Sequence, residues 1–119
     1  MSLFQGHKAI NPPQNVSVWD IDPYSKDVLL NPEKFFISLR ERGPFVYLNK
    51  YKMLACGRYK ETKEVFSDHK RFVSSRGVGI QDFKLEAPWR PPSLVLEVDP
   101  PEHTKNRRFL TRALSPNKI

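Results

Sequence analysis

At 119 residues the chain is long enough for one domain, or for a piece of one, with a core of modest size. Its single cysteine excludes an internal disulfide framework, and no apolar run approaches the ~18 residues of a membrane span. A net charge of +7 favours anionic partners: nucleic acid, an acidic protein, an anionic membrane surface or a charged cofactor. The N-terminus lacks the apolar core of a signal peptide, so we expect a cytoplasmic protein.

Prolines mark the first part of the chain. Residues 1–31 contain several of them and no sustained hydrophobic period, so we expect an extended, irregular lead-in there and a second region over 32–119. Asn31 and Pro32 are typical of a helix start, and the Gly-Pro pair at 43–44 ends that helix. A short amphipathic helix is therefore predicted at the beginning of the second region.

Two short apolar runs follow this helix. FVYL at 45–48 and YKMLAC at 51–56 flank a polar turn at Asn49-Lys50, a pattern that predicts a β-hairpin. RYKETKEVFSD at 58–68 then predicts a second helix. Cys56, at the end of the second run, is expected to be a buried small hydrophobe.

The segment from Ser74 to Val98 has a different pattern, with two glycines, three prolines and no helical period. Long irregular segments inside compact domains are usually functional or disordered, and a tryptophan with aliphatic neighbours favours order here. A last helix is expected to begin with Asp99 as N-cap, Pro100 at the first position and Glu102 at the third, and to end at about Leu114.

This last helix carries different residues on its two faces. At ~100° per residue, four residues lie within roughly 60° of one another and form one stripe: His103, Arg107, Leu110 and Leu114. Because the stripe becomes apolar along the helix, we expect it to face inward. The opposite face contains three cations, Lys105, Arg108 and Arg112. An inward arginine needs an anion, since an unpaired buried charge is costly. Either a core acid or a bound carboxylate, held by the arginine with a second hydrogen bond from the histidine, would satisfy it.

The run DPPEHTKNRRFLTRALSP at 99–116 closely resembles the start of the C helix in soluble, bacterial-type cytochrome P450 monooxygenases. The preceding order is similar too: an A helix, a hairpin, the B helix, RFVSSRG at 71–77 and a long B–C loop. The resemblance implies a fold that is mainly α with a small β-hairpin, the incomplete N-terminal part of the cytochrome P450 fold. SSRGVG at 74–79 and PWRPPSL at 88–94 look most like members that oxidise aromatic carboxylic acids.

The resemblance implies roles for the two faces of the last helix. His103 and Arg107 match the family residues that bind the haem propionates, so the carboxylate that the pair lacks would belong to this cofactor. Lys105, Arg108 and Arg112 would face an acidic ferredoxin or flavodoxin-type electron donor, where complementary charge speeds encounter.

The B–C loop roofs the substrate pocket in this family. By resemblance, Arg90 and Ser93 would hold a substrate carboxylate, while Leu96, with Leu94, would line the apolar part. The alternative is that Arg90 is a surface cation and Ser93 a turn residue. Trp89 is expected to be a packing anchor rather than a ligand contact.

Other parts of the family pattern are missing from the sequence. The chemistry needs an axial cysteine thiolate in a Gly-rich loop. Cys56 is followed by Gly57 without that pattern, and His7 and His69 have no Cys or His at zinc-ligand spacing. We therefore assign no catalytic residue and no metal ligand.

We expect the N-terminal fragment of a monooxygenase that inserts one oxygen atom from O₂ into a small organic substrate. Without the thiolate, the chain by itself is expected to be catalytically incompetent. Two other hypotheses are an inactive truncated gene product and a small basic nucleic-acid-binding protein. The second has no RNP-like aromatic motif, no helix-turn-helix and no zinc ligands to support it.

Overall fold

The computed structural model describes residues 4–5, 8–9 and 11–118, which belong to two compact units, Met1–Ser67 and Asp68–Ile119. The predictions that fall on the remaining positions, including His7 in the lead-in and the final Ile119, lie outside the described residues. The division of the chain into regions 1–31 and 32–119 stays a prediction.

A three-stranded sheet lies at the centre of the first unit. After a separate antiparallel pair, β1 (Phe4–Gln5) and β2 (Lys8–Ala9), the sheet has the order β3-β4-β5. Its strands are β3 (Ser17–Trp19), β4 (Val46–Leu48) and β5 (Met53–Ala55). β3 is parallel to β4, and β4 is antiparallel to β5. The predicted hairpin is therefore confirmed, with a third strand added to it.

The hairpin turn is longer than predicted and is anchored from the lead-in. Val46 lies opposite Ala55 and Leu48 opposite Met53, so four residues, 49–52, make the turn. The Asn49 side chain donates to Asp20 at 2.7 Å, and the Tyr51 hydroxyl donates to Asp22 at 3.0 Å. These distant carboxylates were not part of the sequence pattern that predicted a two-residue turn.

The apolar core of the first unit is formed by β4 and one helix. All three residues of β4 are buried, as is Leu39 of α2 (Pro32–Arg42). Partly buried side chains pack against this cluster: Trp19, Ile21, Phe35 and Ala55. A strand that is buried on both faces reads as a continuous apolar run, as FVYL does. The predicted helix has the expected limits, although Asn31 makes no side-chain capping hydrogen bond.

The lead-in is more structured than the sequence predicted. It contains β3 and a five-residue helix, α1 (Lys26–Leu30), in which the Ser25 hydroxyl accepts the Val28 N–H at 3.4 Å. The expectation of an irregular segment was wrong because β3 has only three residues and finds its partner, β4, far along the chain. Such a strand has no local period to detect.

The helix predicted over 58–68 is present as α3 (Tyr59–Ser67). Its aromatic residues Tyr59 and Phe66 are exposed in the described part of the chain.

The second unit consists of one helix and loops. Residues 74–98 contain no helix or strand, as predicted, and α4 (Glu102–Ala113) is followed by a short 3-10 turn, Pro116–Lys118. α4 begins three residues after Asp99, which does not cap it. Prolines at 100 and 101 have no N–H to offer a cap, and the Asp99 carboxylate instead accepts the backbone N–H groups of Ser74 (2.7 Å) and Ser75 (3.3 Å).

Candidate functional site

The first candidate site is the start of α4, where His103 and Arg107 lie one turn apart. His103 is half-buried and Arg107 is exposed. Neither side chain makes a hydrogen bond or ion pair within the part of the chain that the structure describes. Within the described residues, both groups therefore lack the anion that an inward position would require.

The described residues do not cover this stripe, so its expected inward position stays a prediction. No residue of α4 is buried, and Leu110 and Leu114, which continue the stripe, are exposed. The helical period of the sequence correctly placed these residues on one face, but it does not indicate whether another part of a protein covers that face. Asn106, which borders this stripe beside Leu110, donates to the Leu94 carbonyl at 2.6 Å and ties α4 to the preceding loop.

The cations predicted for the opposite face divide into two groups. Arg108 and Arg112 line a shallow groove along α4 together with His103, Thr104, Arg107 and Thr111. Lys105 does not line it. Because consecutive residues are 100° apart on a helix, Arg108 borders the same groove as Arg107, and the two predicted faces meet there. The groove collects donors and positive charge, with no acidic residue among those that line it.

The second candidate site is the loop that contains Arg90 and Ser93. These residues do reach one anion, and that anion is Glu97. Arg90 Nη1 donates to Glu97 Oε2 at 3.3 Å, Nη2 donates to Oε1, and the Ser93 N–H donates to Oε2 at 2.6 Å. The Glu97 side chain is only 1% exposed. The sequence pattern had not connected Glu97 with Arg90.

The hydroxyl of Ser93 organises the same loop. Its Oγ accepts the N–H groups of Val95 (3.2 Å) and Leu96 (3.1 Å), the local turn geometry that serine favours. Leu96 is exposed, as is Leu94. Trp89 is 80% exposed, so the expectation of a packing anchor is not met in the described residues, although the Arg90 guanidinium lies 5.5 Å from its ring centroid.

A second arginine–carboxylate pair has a similar construction. Arg76 Nε and Nη2 donate to the two oxygens of Asp82 at 3.1 and 2.6 Å, and the Lys84 N–H also donates to Asp82. The Asp82 side chain is 3% exposed. Asp82 lies six positions after Arg76 and Glu97 seven positions after Arg90, so each pair closes a short loop around a buried carboxylate.

These contacts set the protonation behaviour of the loop. Hydrogen bonds from Arg90 hold the pKa of Glu97 below its usual range, against the opposing effect of burial, and the pKa of Arg90 is raised by the same bonds. For Asp99, burial acts to raise the pKa, but the hydrogen bonds from Ser75 and Ser74 outweigh it and the net pKa is lowered. The two carboxylates are therefore ionised at neutral pH.

Cys56 shows no feature of a metal ligand or nucleophile. It is half-buried, and its Sγ lies 3.8 Å from the Thr62 hydroxyl, a weak contact of a packed thiol. Across the described positions, no three His, Cys, Asp or Glu side chains gather closely enough to hold a metal ion. In those same ranges, no helix has both the length and the apolar character needed to cross a membrane.

Comparison with known proteins gives two similarities. The chain is 51% identical over 96 residues to cytochrome P450 CYP199A2 of Rhodopseudomonas palustris, a match that covers 81% of this chain and 23% of that protein. Its fold is similar to that of cytochrome P450 CYP109Q5 from Chondromyces apiculatus, with a TM-score of 0.64 and 31% identity, covering 82% of this chain and 25% of that one. No protein-family model matches. The chain spans about a quarter of the length of these relatives.

Proposed function

We propose that this chain, which has the N-terminal part of the cytochrome P450 fold, is the N-terminal quarter of a haem monooxygenase. The whole protein would insert one oxygen atom from O₂ into a small organic substrate. The observation that carries the proposal is a pair of donors, His103 and Arg107, that have no partner among the described residues and lie on the helix whose sequence most resembles the family. The nucleic-acid hypothesis is not favoured, because nothing beyond net charge supports it.

The residues at the start of α4 fit haem. Its propionates are carboxylates, and Arg107 offers a planar fork of donors to such a group while His103 offers a second hydrogen bond. Neither donor is already used within the described residues. The exposed apolar side chains that continue the same stripe, Leu110 and Leu114, suit the edge of a macrocycle. When bound, haem supplies the oxygen-activating chemistry of the family, and this chain's residues hold it in place.

We assign no iron ligand to this chain. Cys56 is its single cysteine, and its packed, half-buried thiol lies beside Thr62 rather than in the Gly-rich loop that the chemistry requires. The axial cysteine of the proposed enzyme would therefore come from residues outside these 119. On this account the chain alone is catalytically incompetent.

The substrate class that we propose is an aromatic carboxylic acid. Exposed Leu94 and Leu96 would line the apolar part of its pocket. Ser93 keeps one hydroxyl hydrogen without an acceptor among the described residues, and the Arg90 side chain remains 32% exposed although Glu97 binds it. These remaining donors would contact the carboxylate.

The electron donor that we propose is an acidic ferredoxin or flavodoxin. Arg108, Arg112 and Lys105 are exposed, and none has an acid partner in the described part of the chain. A positive surface of this kind accelerates the association of an acidic protein, with a rate that falls as salt screens the charges. We propose a cytoplasmic location, where such donors occur.

The proposal is tested by replacing Arg107 in a protein of full family length whose N-terminal quarter is this chain. Arg107→Ala removes a charge-assisted contact to a propionate, and we expect haem content to fall several-fold, measured as haem absorbance per polypeptide. Arg108→Ala, one residue away on the same helix, is the matched control and should keep its haem. Equal haem content in both variants and the wild type would contradict the assignment.

A further inference from the structure

In the Arg90–Glu97 pair, the negative charge of Glu97 neutralises the positive charge of Arg90. Arg90 gives hydrogen bonds to both oxygens of Glu97, and its Nη1 also donates to the Pro91 carbonyl at 3.1 Å. Five N–H donors belong to a guanidinium, so the Nε hydrogen and one Nη2 hydrogen are left. A ligand at the exposed edge of Arg90 would meet hydrogen-bond donors, but on a cation that is already neutralised.

A ligand anion is not expected to displace Glu97 from this arrangement. The Glu97 side chain is 1% exposed, and the Ser93 N–H donates to it in addition to the arginine. Removing Arg90 from Glu97 would leave a buried carboxylate without its counter-ion, which carries a large penalty. The pair therefore persists when a ligand binds, and the charge of Glu97 acts on that ligand.

We propose that Glu97 is a specificity-determining residue, whose carboxylate neutralises Arg90 and so lowers the affinity of this loop for anionic ligands relative to neutral ligands of the same shape. This inference rests on the proposed function, in which the loop contacts the substrate. On this account, Glu97 lowers the affinity for anionic ligands and Arg90 raises it.

The test compares Glu97→Gln, Arg90→Gln and the double variant in a haem-loaded protein of full family length whose N-terminal quarter is this chain. The probes are benzoate and its neutral analogue benzamide, with dissociation constants measured by calorimetry and by the shift of the haem absorbance band. The readout is the ratio of the two affinities within one protein, because a general loss of structure weakens both ligands and leaves the ratio unchanged.

The three variants have different expected ratios. Glu97→Gln keeps the shape of the side chain and removes a charge a few ångströms from the ligand, so preference for benzoate should rise about tenfold. Arg90→Gln removes the cation and should lower that preference by up to about tenfold, and by less where the buried Glu97 carboxylate, without its counter-ion, takes up a proton. The double variant should return close to the wild-type ratio. Asp82→Asn makes the same change in the other arginine–carboxylate pair and should not shift the ratio.

Three outcomes would overturn this account. An unchanged or lowered benzoate preference in Glu97→Gln would show that Glu97 does not oppose anions. An equal rise in Asp82→Asn would trace the effect to a disturbed loop rather than to charge at Arg90. A wild-type protein that lacks the spectral band of a thiolate-ligated haem with carbon monoxide would instead overturn the proposed function, and with it the premise of this inference.

Discussion

The two compact units are stabilised by different kinds of buried residue. In the described part of the first unit, the buried side chains are apolar apart from one hydroxyl: Leu39, Val46, Tyr47 and Leu48. In the described part of the second unit, the buried residues are two carboxylates, Asp82 and Glu97, each bound by an arginine. One unit thus has a small hydrophobic core, whereas the other is organised by ionic and backbone hydrogen bonds.

This difference indicates which unit depends on further contacts. Burial of apolar area is the main source of folding free energy, and a buried ion pair is by comparison weak support for stability. Both units leave large apolar side chains exposed, among them Tyr59 and Phe66 in the first and Trp89 and Leu114 in the second. Such exposure is typical of a surface that another part of a protein covers. It agrees with a chain that spans about a quarter of its relatives.

The largest effect is expected from opening the apolar core of the first unit. Leu39→Ala removes a 3%-exposed side chain from the contact between α2 and β4, and should cost about 2–5 kcal/mol of unfolding free energy. Phe66→Ala, at an 86%-exposed position of the same unit, should cost less than about 0.5 kcal/mol. The unfolding free energy of each variant is measured by urea unfolding, and amide hydrogen exchange in β4 reports on the core. Similar costs for the two variants would mean that the first unit has no effective core.

A smaller effect is expected where the second unit depends on backbone geometry. Gly77 has a φ of +110°, and a Cβ there would lie 2.6 Å from the Gln81 carbonyl oxygen, so Gly77→Ala should cost about 1–3 kcal/mol. Gly79→Ala meets open space and should change stability by less than about 1 kcal/mol, in either direction. Exchange of the Phe83 amide, which donates to the Arg76 carbonyl at 2.8 Å, reports on this loop. Equal exchange rates in the two variants would contradict a fixed loop.

The smallest change in stability is expected when the pH is lowered. Because the pKa of Glu97 is lower in the folded chain than its usual value of 4.5, its contribution to stability is present above that value and is lost as pH falls through the folded-state pKa. Asp99 acts in the same direction. Glu97→Gln should therefore flatten the fall in melting temperature between pH 5 and pH 3. Parallel curves for the variant and wild type would exclude Glu97 as a source of that dependence.

The sequence was informative where structure is local. Pro32 and the Gly-Pro pair at 43–44 define the ends of α2, and the apolar runs define the hairpin, because helix ends and adjacent strands depend on near neighbours. β3 was missed since its partner is distant. The start of α4 was placed too early because the capping pattern at Asp99 did not account for a second proline without an N–H.

The candidate sites show a similar limit. The sequence correctly grouped His103 with Arg107, and Arg90 with Ser93, but it could not identify the partner of each group. Glu97 lies four residues from Ser93 and was detectable as the nearest acid, yet its burial depends on how the loop closes. Whether the stripe on α4 is covered depends on contacts that a helical period does not contain.

The Asp99 carboxylate also has a consequence for how this region tolerates change in length. By binding the N–H groups of Ser74 and Ser75, it joins the two ends of a segment of about 25 residues. The entropy of closing such a loop grows slowly with size, by about 0.6 kcal/mol for each doubling, so a change of length at an exposed position such as Gly79, which belongs to neither arginine–carboxylate pair, adds little closure cost. The Asp99 bonds thereby let this part of the loop vary in length while the residues at both ends keep their positions.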